Sequence, residues 1–181
     1  PKPDYPGQHQ PNPGFEQALD PEPRWRGERY RPAGKLEGMV ALITGGDSGI
    51  GRSVAYHFAR EGADVVINCL PEESGDAEVV REAVEELGRR CVVETGDLRD
   101  PEVCERLVLG TIKAFGRLDL LVHNAAWQNR KPISELDEEE LERTLETNIG
   151  AYLRLVRSAA PRMAAGSSII ATGSIVAIRG S

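Results

Sequence analysis

The sequence is poor in cysteine, has no excess of basic residues and contains no long apolar run. Cysteine occurs three times in 181 residues, as Cys69, Cys91 and Cys104. The number is odd and there is no CxxC pair, which speaks against a disulfide framework or a zinc knuckle. The three read as small buried hydrophobes in a reducing compartment, and the cytoplasm is the expected location. Lys and Arg number 22 against 29 Asp and Glu, for a formal net charge of −7. That balance argues against a nucleic-acid partner, whose binding rests on phosphate neutralisation. No stretch approaches the roughly 20 apolar residues of a membrane span. The proline-rich N-terminus lacks the apolar core of a signal peptide. With 40% hydrophobic and 28% charged residues the composition is that of an ordinary soluble domain with a core.

Residues 1–34 stand apart from the remainder, 35–181. They hold eight of the twelve prolines and show no helical or alternating period, so regular ladders are excluded there. Disorder is one reading of such a segment. Against it, Tyr5, Phe15, Trp25 and Tyr30 are four of the chain's nine aromatics. Disordered tails are usually poor in aromatics. An extended arm lying on a surface, of its own domain or a neighbouring subunit, is expected.

From Lys35 onward strand and helix patterns alternate. Strands are expected at Val40–Thr44, Asp64–Cys69, Cys91–Glu94, Leu118–His123 and Ser168–Ala171. Helices are expected at Ser48–Glu61, at Glu72–Leu87 with Ala77, Val80, Val84 and Leu87 on one face, and from Asp100-Pro101 to Phe115. A further long helix, opened by an Asp137–Glu140 capping box, is expected to run, bent or straight, to about Met163. Short apolar strands alternating with helices imply an α/β fold: a doubly wound parallel sheet, Rossmann-like.

Thr44-Gly45-Gly46-Asp47-Ser48-Gly49-Ile50-Gly51 joins the first strand to the first helix. Glycines there let a backbone approach a pyrophosphate closely, and the helix N-terminus offers unpaired N–H donors. The turn is not a P-loop, because no Lys-Ser or Lys-Thr pair follows. Gly46-Asp47-Ser48-Gly49 has the look of a serine-protease nucleophile segment, but that chemistry needs a base and an orienting acid. From the turn alone, a plain βα connection without a ligand stays open. The other strand ends carry Asn68-Cys69-Leu70, Gly96-Asp97-Leu98, Asn124-Ala125-Ala126 and Thr172-Gly173-Ser174. Ligands of such sheets bind outside these carboxyl ends.

Taken in order, Thr44-Gly45-x-x-x-Gly49-Ile50-Gly51, Gly96-Asp97-Leu98, Asn124-Ala125-Ala126, Asn148 and Ala171-Thr172-Gly173-Ser174-Ile175 resemble the short-chain dehydrogenase/reductase family over residues 36–181. Gly46-Asp47-Ser48, Leu70-Pro71-Glu72-Glu73 and the proline-rich arm look like a bacterial, aldehyde-reductase-like subgroup. The resemblance implies an NAD(P)-dependent oxidoreductase acting on a small carbonyl or alcohol, as a homo-oligomer, dimer or tetramer. It implies that Gly45, Asp47, Ser48, Gly49, Ile50 and Gly51 hold the cofactor pyrophosphate. Asp97 and Leu98 would meet the adenine, with Leu70, Asn124, Ala125 and Ala126 also on the cofactor. Asn148, at a helix kink in a proton relay, and Ser174, on the substrate oxygen, would be catalytic.

Two departures from the family pattern stand out. After strand four the family has Asn-Asn-Ala-Gly, where this chain has His123-Asn124-Ala125-Ala126. His123 reads as a packed strand-end residue rather than a proton carrier. The family's Tyr-x-x-x-Lys pair, in which Lys lowers the pKa of the proton-transferring Tyr, is absent: Tyr5, Tyr30, Tyr56 and Tyr152 do not stand four before a Lys. A fragment of a longer reductase is expected, incomplete at the C-terminal side and inactive alone. A non-catalytic dinucleotide-binding module and a purely structural partner are the competing readings. No acid follows strand two before Glu72, which favours NADP, with Arg52 the nearby cation; NAD stays possible because Asp47 does not welcome a further phosphate.

Overall fold

The computed structural model describes residues 8, 10, 14–129 and 131–175. Tyr5 and His9 of the expected arm, and residues 176–181, lie outside them.

Five strands form one parallel sheet: β1 (Val40–Thr44), β2 (Asp64–Cys69), β3 (Cys91–Thr95), β4 (Leu120–His123) and β5 (Ser168–Ala171). Their spatial order is β3-β2-β1-β4-β5. The chain first winds outward from β1 through β2 to β3, then returns to the other side of β1. The order therefore reverses between β1 and β4, the point where such sheets open a crevice.

The helices are α1 (Gly49–Arg60), α2 (Ser74–Glu85), α3 (Pro101–Phe115), α4 (Glu138–Leu145) and α5 (Ala151–Ala159). Alternation along the strands sorts them into two layers. Ala41 and Ile43 of β1 pack with Ala55, Ala59, Val80 and Val84 of α1 and α2. Leu42 between them packs with Leu107, Val108 and Leu155 of α3 and α5. Every residue of β1 and nearly every one of β2 is buried, as strands covered on both faces require. The three cysteines are free and buried among these layers.

Several boundaries differ from expectation: the fourth strand begins at Leu120 rather than Leu118, and three larger departures concern the helices. A 3-10 turn, Pro71–Glu73, precedes α2. Pro71 has no N–H, and the Glu73 carboxylate accepts from Leu70 N–H at 3.0 Å, closing a separate turn. Leu87, placed on the buried face, is exposed beyond the end of α2. The long helix to Met163 is divided: a π segment, Glu146–Gly150, separates α4 from α5, and a 3-10 turn, Ala160–Arg162, follows.

The arm residues that are described lie on the outer face of α1 and α2. Trp25 is 8% exposed and meets the Tyr56 ring edge-on at 5.0 Å. Tyr30 O–H, Ala33 N–H and Lys35 N–H all converge on the Glu61 carboxylate just after α1.

Candidate dinucleotide site

A cleft of about 400 Å³ opens at the carboxyl ends of the strands. Each strand delivers part of its wall. Gly45, Asp47, Ser48, Gly49 and Ile50 follow β1; Asn68, Cys69, Leu70 and Glu73 come from β2 and the turn after it. Gly96, Asp97, Leu98 and Arg99 follow β3, and Asn124, Ala125, Ala126 and Trp127 follow β4. Thr172 follows β5, with Arg143 and Thr147 from the α4 side.

The turn after β1 is built for close approach. Gly49 opens α1 with φ +52, a conformation that disfavours a side chain. A Cβ on Gly51 would sit 1.8 Å from the Gly45 carbonyl oxygen, so the helix can rest on the turn only with glycine there. The N–H groups of the first helical turn have no carbonyl partner within the helix. Ser48, at the cap position, makes no side-chain hydrogen bond to them. This cradle of glycine backbone at a helix N-terminus fits a pyrophosphate.

Side chains staple the rim together. Thr44 Oγ1 accepts from Asn124 N–H at 3.0 Å and Ala125 N–H at 3.1 Å. With both lone pairs engaged, its own O–H is left to donate to His123 Nδ1, 3.3 Å away, which sets the His123 proton on Nε2. Burial lowers the His123 pKa, against a raising hydrogen bond at the Asn148 backbone. Burial thus favours the neutral form of His123 inside β4, and the residue does not line the cleft. Asn124 Nδ2 donates to the Gly45 carbonyl at 3.1 Å, and Thr172 Oγ1 donates to Asn124 Oδ1 at 3.1 Å. Asn68 Nδ2 donates to the Glu94 and Gly96 carbonyls, both at 3.1 Å. The Asn68 carbonyl accepts from Gly46 N–H at 3.2 Å.

The charged residues divide into neutralised and frustrated groups. Asp97 accepts from Arg99 N–H at 2.9 Å and pairs with its guanidinium at 2.6 Å, which holds the carboxyl below its ordinary range. Asp47 is 2% exposed and desolvation raises its pKa. Burial likewise raises Glu73. Arg143 stacks over Trp127, 5.0 Å from the ring centre.

Eleven of the fourteen residues expected at the site line this cleft: Gly45, Asp47, Ser48, Gly49, Ile50, Leu70, Asp97, Leu98, Asn124, Ala125 and Ala126. Three stand elsewhere. Gly51 lies beneath the turn, buried on Gly45. Asn148 sits in the π segment and binds Trp127 twice, accepting from its N–H at 2.8 Å and donating to its carbonyl at 3.0 Å. Ser174 is exposed beyond β5. Arg52 requires a correction. It is 1% exposed and faces Glu16 and Asp76 behind the turn, so it is not a cation for a further phosphate. The cations that do line the cleft, Arg99 and Arg143, were not anticipated; Arg99 had a signal in its place two residues past Asp97.

Comparison with known proteins agrees with this architecture. Residues 39–181 match the model of the short chain dehydrogenase family. The chain is 46% identical over 175 residues to the uncharacterized oxidoreductase YhdF of Bacillus subtilis (strain 168), covering 96% of this chain and 60% of that protein. It is 43% identical over 181 residues to glucose and ribitol dehydrogenase of Daucus carota, covering 97% and 62%. Among solved structures, a short chain dehydrogenase from Burkholderia cenocepacia J2315 in complex with NADP aligns with a TM-score of 0.78 and 35% identity, over 81% of this chain and 59% of that one. The chain belongs to the short-chain dehydrogenase family. It spans about three fifths of the length of the curated relatives it matches.

Proposed function

We propose that this chain forms the coenzyme-binding part of an NAD(P)-dependent oxidoreductase that interconverts a small carbonyl and its alcohol. The observation that carries the reading is the glycine turn of residues 45–51: a Cβ-free cradle at the N-terminus of α1, on the sheet's switch point.

When bound, the nicotinamide coenzyme supplies the hydride chemistry. The residues would hold it in order along the rim. The turn from Gly45 to Gly51 takes the pyrophosphate. Asp97, kept ionised by Arg99, accepts from the adenine amino group, and buried Leu98 packs beside the ring. Asn124, Ala125, Ala126 and Leu70 complete the coenzyme wall. Asn148 fixes the loop after β4 through its double bond to Trp127. Ser174 would meet the substrate oxygen, and Asn148, its side chain committed to Trp127, would serve a proton relay through its backbone.

NADP is the preferred coenzyme, since Arg143 is a cation on the cleft wall and the similar Burkholderia cenocepacia protein was crystallised with NADP. One observation favours NAD as a second reading: the Asp47 and Glu73 carboxylates line the cleft beside the end of β2. The substrate, cytoplasmic location and oligomeric assembly are proposed on the family's pattern. Among the described residues no helix is long and apolar enough to cross a membrane.

The test is a fluorescence titration with NADPH and NADH, paired with an absorbance assay on simple aldehydes. Saturable binding is expected for the wild type and loss of it for Gly51→Val. No Tyr-x-x-x-Lys pair occurs in these 181 residues, so no turnover is expected from this chain alone. Rapid turnover by a verified 181-residue chain would refute that assignment of the proton donor.

A further inference from the structure

Helix α1 carries the coenzyme turn without a cap of its own, whereas Asp100 and Asp137 cap α3 and α4 with their side chains. The acceptor comes from the arm. Glu16 lies in a short 3-10 turn, Glu16–Ala18, and is buried. Its Oε1 accepts from Gly49 N–H at 3.1 Å. Its Oε2 lies 2.9 Å from Arg52 Nε, and that same Nε donates to the Asp47 carbonyl at 3.0 Å. The arm is anchored there by its backbone: Glu16 N–H donates to Asp76 Oδ2 at 2.8 Å, and Gln17 Nε2 donates to the Gly75 carbonyl at 3.0 Å.

One carboxylate therefore touches the turn twice, directly at Gly49 and through Arg52 at Asp47. Gly49 and Asp47 line the cleft, while Glu16 does not; it braces the turn from behind. The placement answers a physical need. Glycine is the least constrained residue of a chain, so a cradle made of glycines is preorganised only if something outside it holds it. Burying a charged pair is costly, which makes a purely stabilising role for this cluster a poor return. The brace also lies outside residues 39–181, the segment that the family model matches.

We propose that Glu16 is a positioning residue for the coenzyme turn, holding the Gly49 N–H and the Asp47 carbonyl in the conformation that receives the pyrophosphate. The inference rests on the dinucleotide reading of the cleft.

The test compares NADPH affinity, by fluorescence titration, in the full chain carrying Glu16→Gln, Glu16→Asp or Glu16→Ala. Gln keeps the reach and an acceptor oxygen but loses the charge. Asp keeps the charge but falls one methylene short of Gly49. Leu107→Ala, in the core of α3, serves as a control that lowers stability far from the turn. At a temperature where circular dichroism shows every variant folded, Asp and Ala are expected to weaken binding about tenfold, equivalent to about 1.4 kcal/mol. Gln and the Leu107 control are expected to stay within about threefold of the wild type, under about 0.7 kcal/mol. If Glu16→Ala does not fold, the contrast between Gln and Asp decides. Asp binding like the wild type while Gln loses affinity, or all variants binding alike, overturns the proposal. A wild-type chain that binds neither NADPH nor NADH overturns the dinucleotide reading itself, before any variant is compared.

Discussion

Asp47 is the residue at which the site works against its own ligand. It is a nearly dry carboxyl whose pKa desolvation raises, and it lines the cleft that is proposed to receive an anion. Protonated, it is neutral; as pH rises through its elevated value it becomes a buried anion at the turn proposed to hold the phosphates. Coenzyme affinity is therefore expected to fall with rising pH across that titration. Asp47→Asn is expected to lose that slope and to bind NADPH more tightly than the wild type on its alkaline side. A variant with unchanged affinity and the same pH profile would show that Asp47 does not face the phosphates. Burial lowers the pKa of His123 and so favours its neutral form.

At the scale of elements, sheet and helices were legible because each strand is a short apolar run closed by a turn residue, and each helix has a one-sided apolar period. The Asp137–Glu140 capping box is present as read, with Glu140 N–H donating to Asp137 Oδ1 at 2.9 Å. Local patterns do not carry long-range pairings. Nothing near Arg52 announces that its partners are Glu16 and Asp76, which is why it read as a phosphate cation. The kink that the resemblance implies at Asn148 is a π segment, Glu146–Gly150, where that side chain binds Trp127, 21 residues away. The arm was legible only by its aromatics, and one of the groups that dock it is the Glu61 carboxylate. Tyr30 O–H, then the N–H groups of Lys35 and Ala33, hold Glu61 from its ordinary 4.5 down to about 2. A carboxyl depressed in the folded state contributes stability that is complete above 4.5 and disappears as pH falls toward 2. The melting temperature of the wild type is expected to exceed that of Glu61→Gln at neutral pH, with the gap closing between those two values. A gap that does not change with acid would mean that Glu61 is not what ties the arm down.

At the scale of the whole molecule, the described surface is uneven. Leu141, Leu145, Ile149 and Leu153 recur every four residues from α4 through the π segment into α5, and all four are exposed. Ile149 and Leu153 show 55% and 58% of their surface. An apolar stripe of this length on a water-facing helix favours association. Sedimentation is expected to show the chain self-associated at micromolar concentration, and Leu145→Glu with Leu153→Glu is expected to shift it toward monomer. A wild-type chain that sediments as a monomer throughout would exclude this stripe as a contact between copies.

The same scale holds the central claim, that the crevice between β1 and β4 receives a nicotinamide dinucleotide. Residue-resolved amide shifts recorded during an NADPH titration test it most directly. The predicted result is a saturable set of shifts confined to the turn from Gly45 to Gly51, to Asp97 and Leu98, and to Asn124 through Ala126. Saturable shifts clustered on another surface, or none in folded protein with NADPH or NADH, would contradict it.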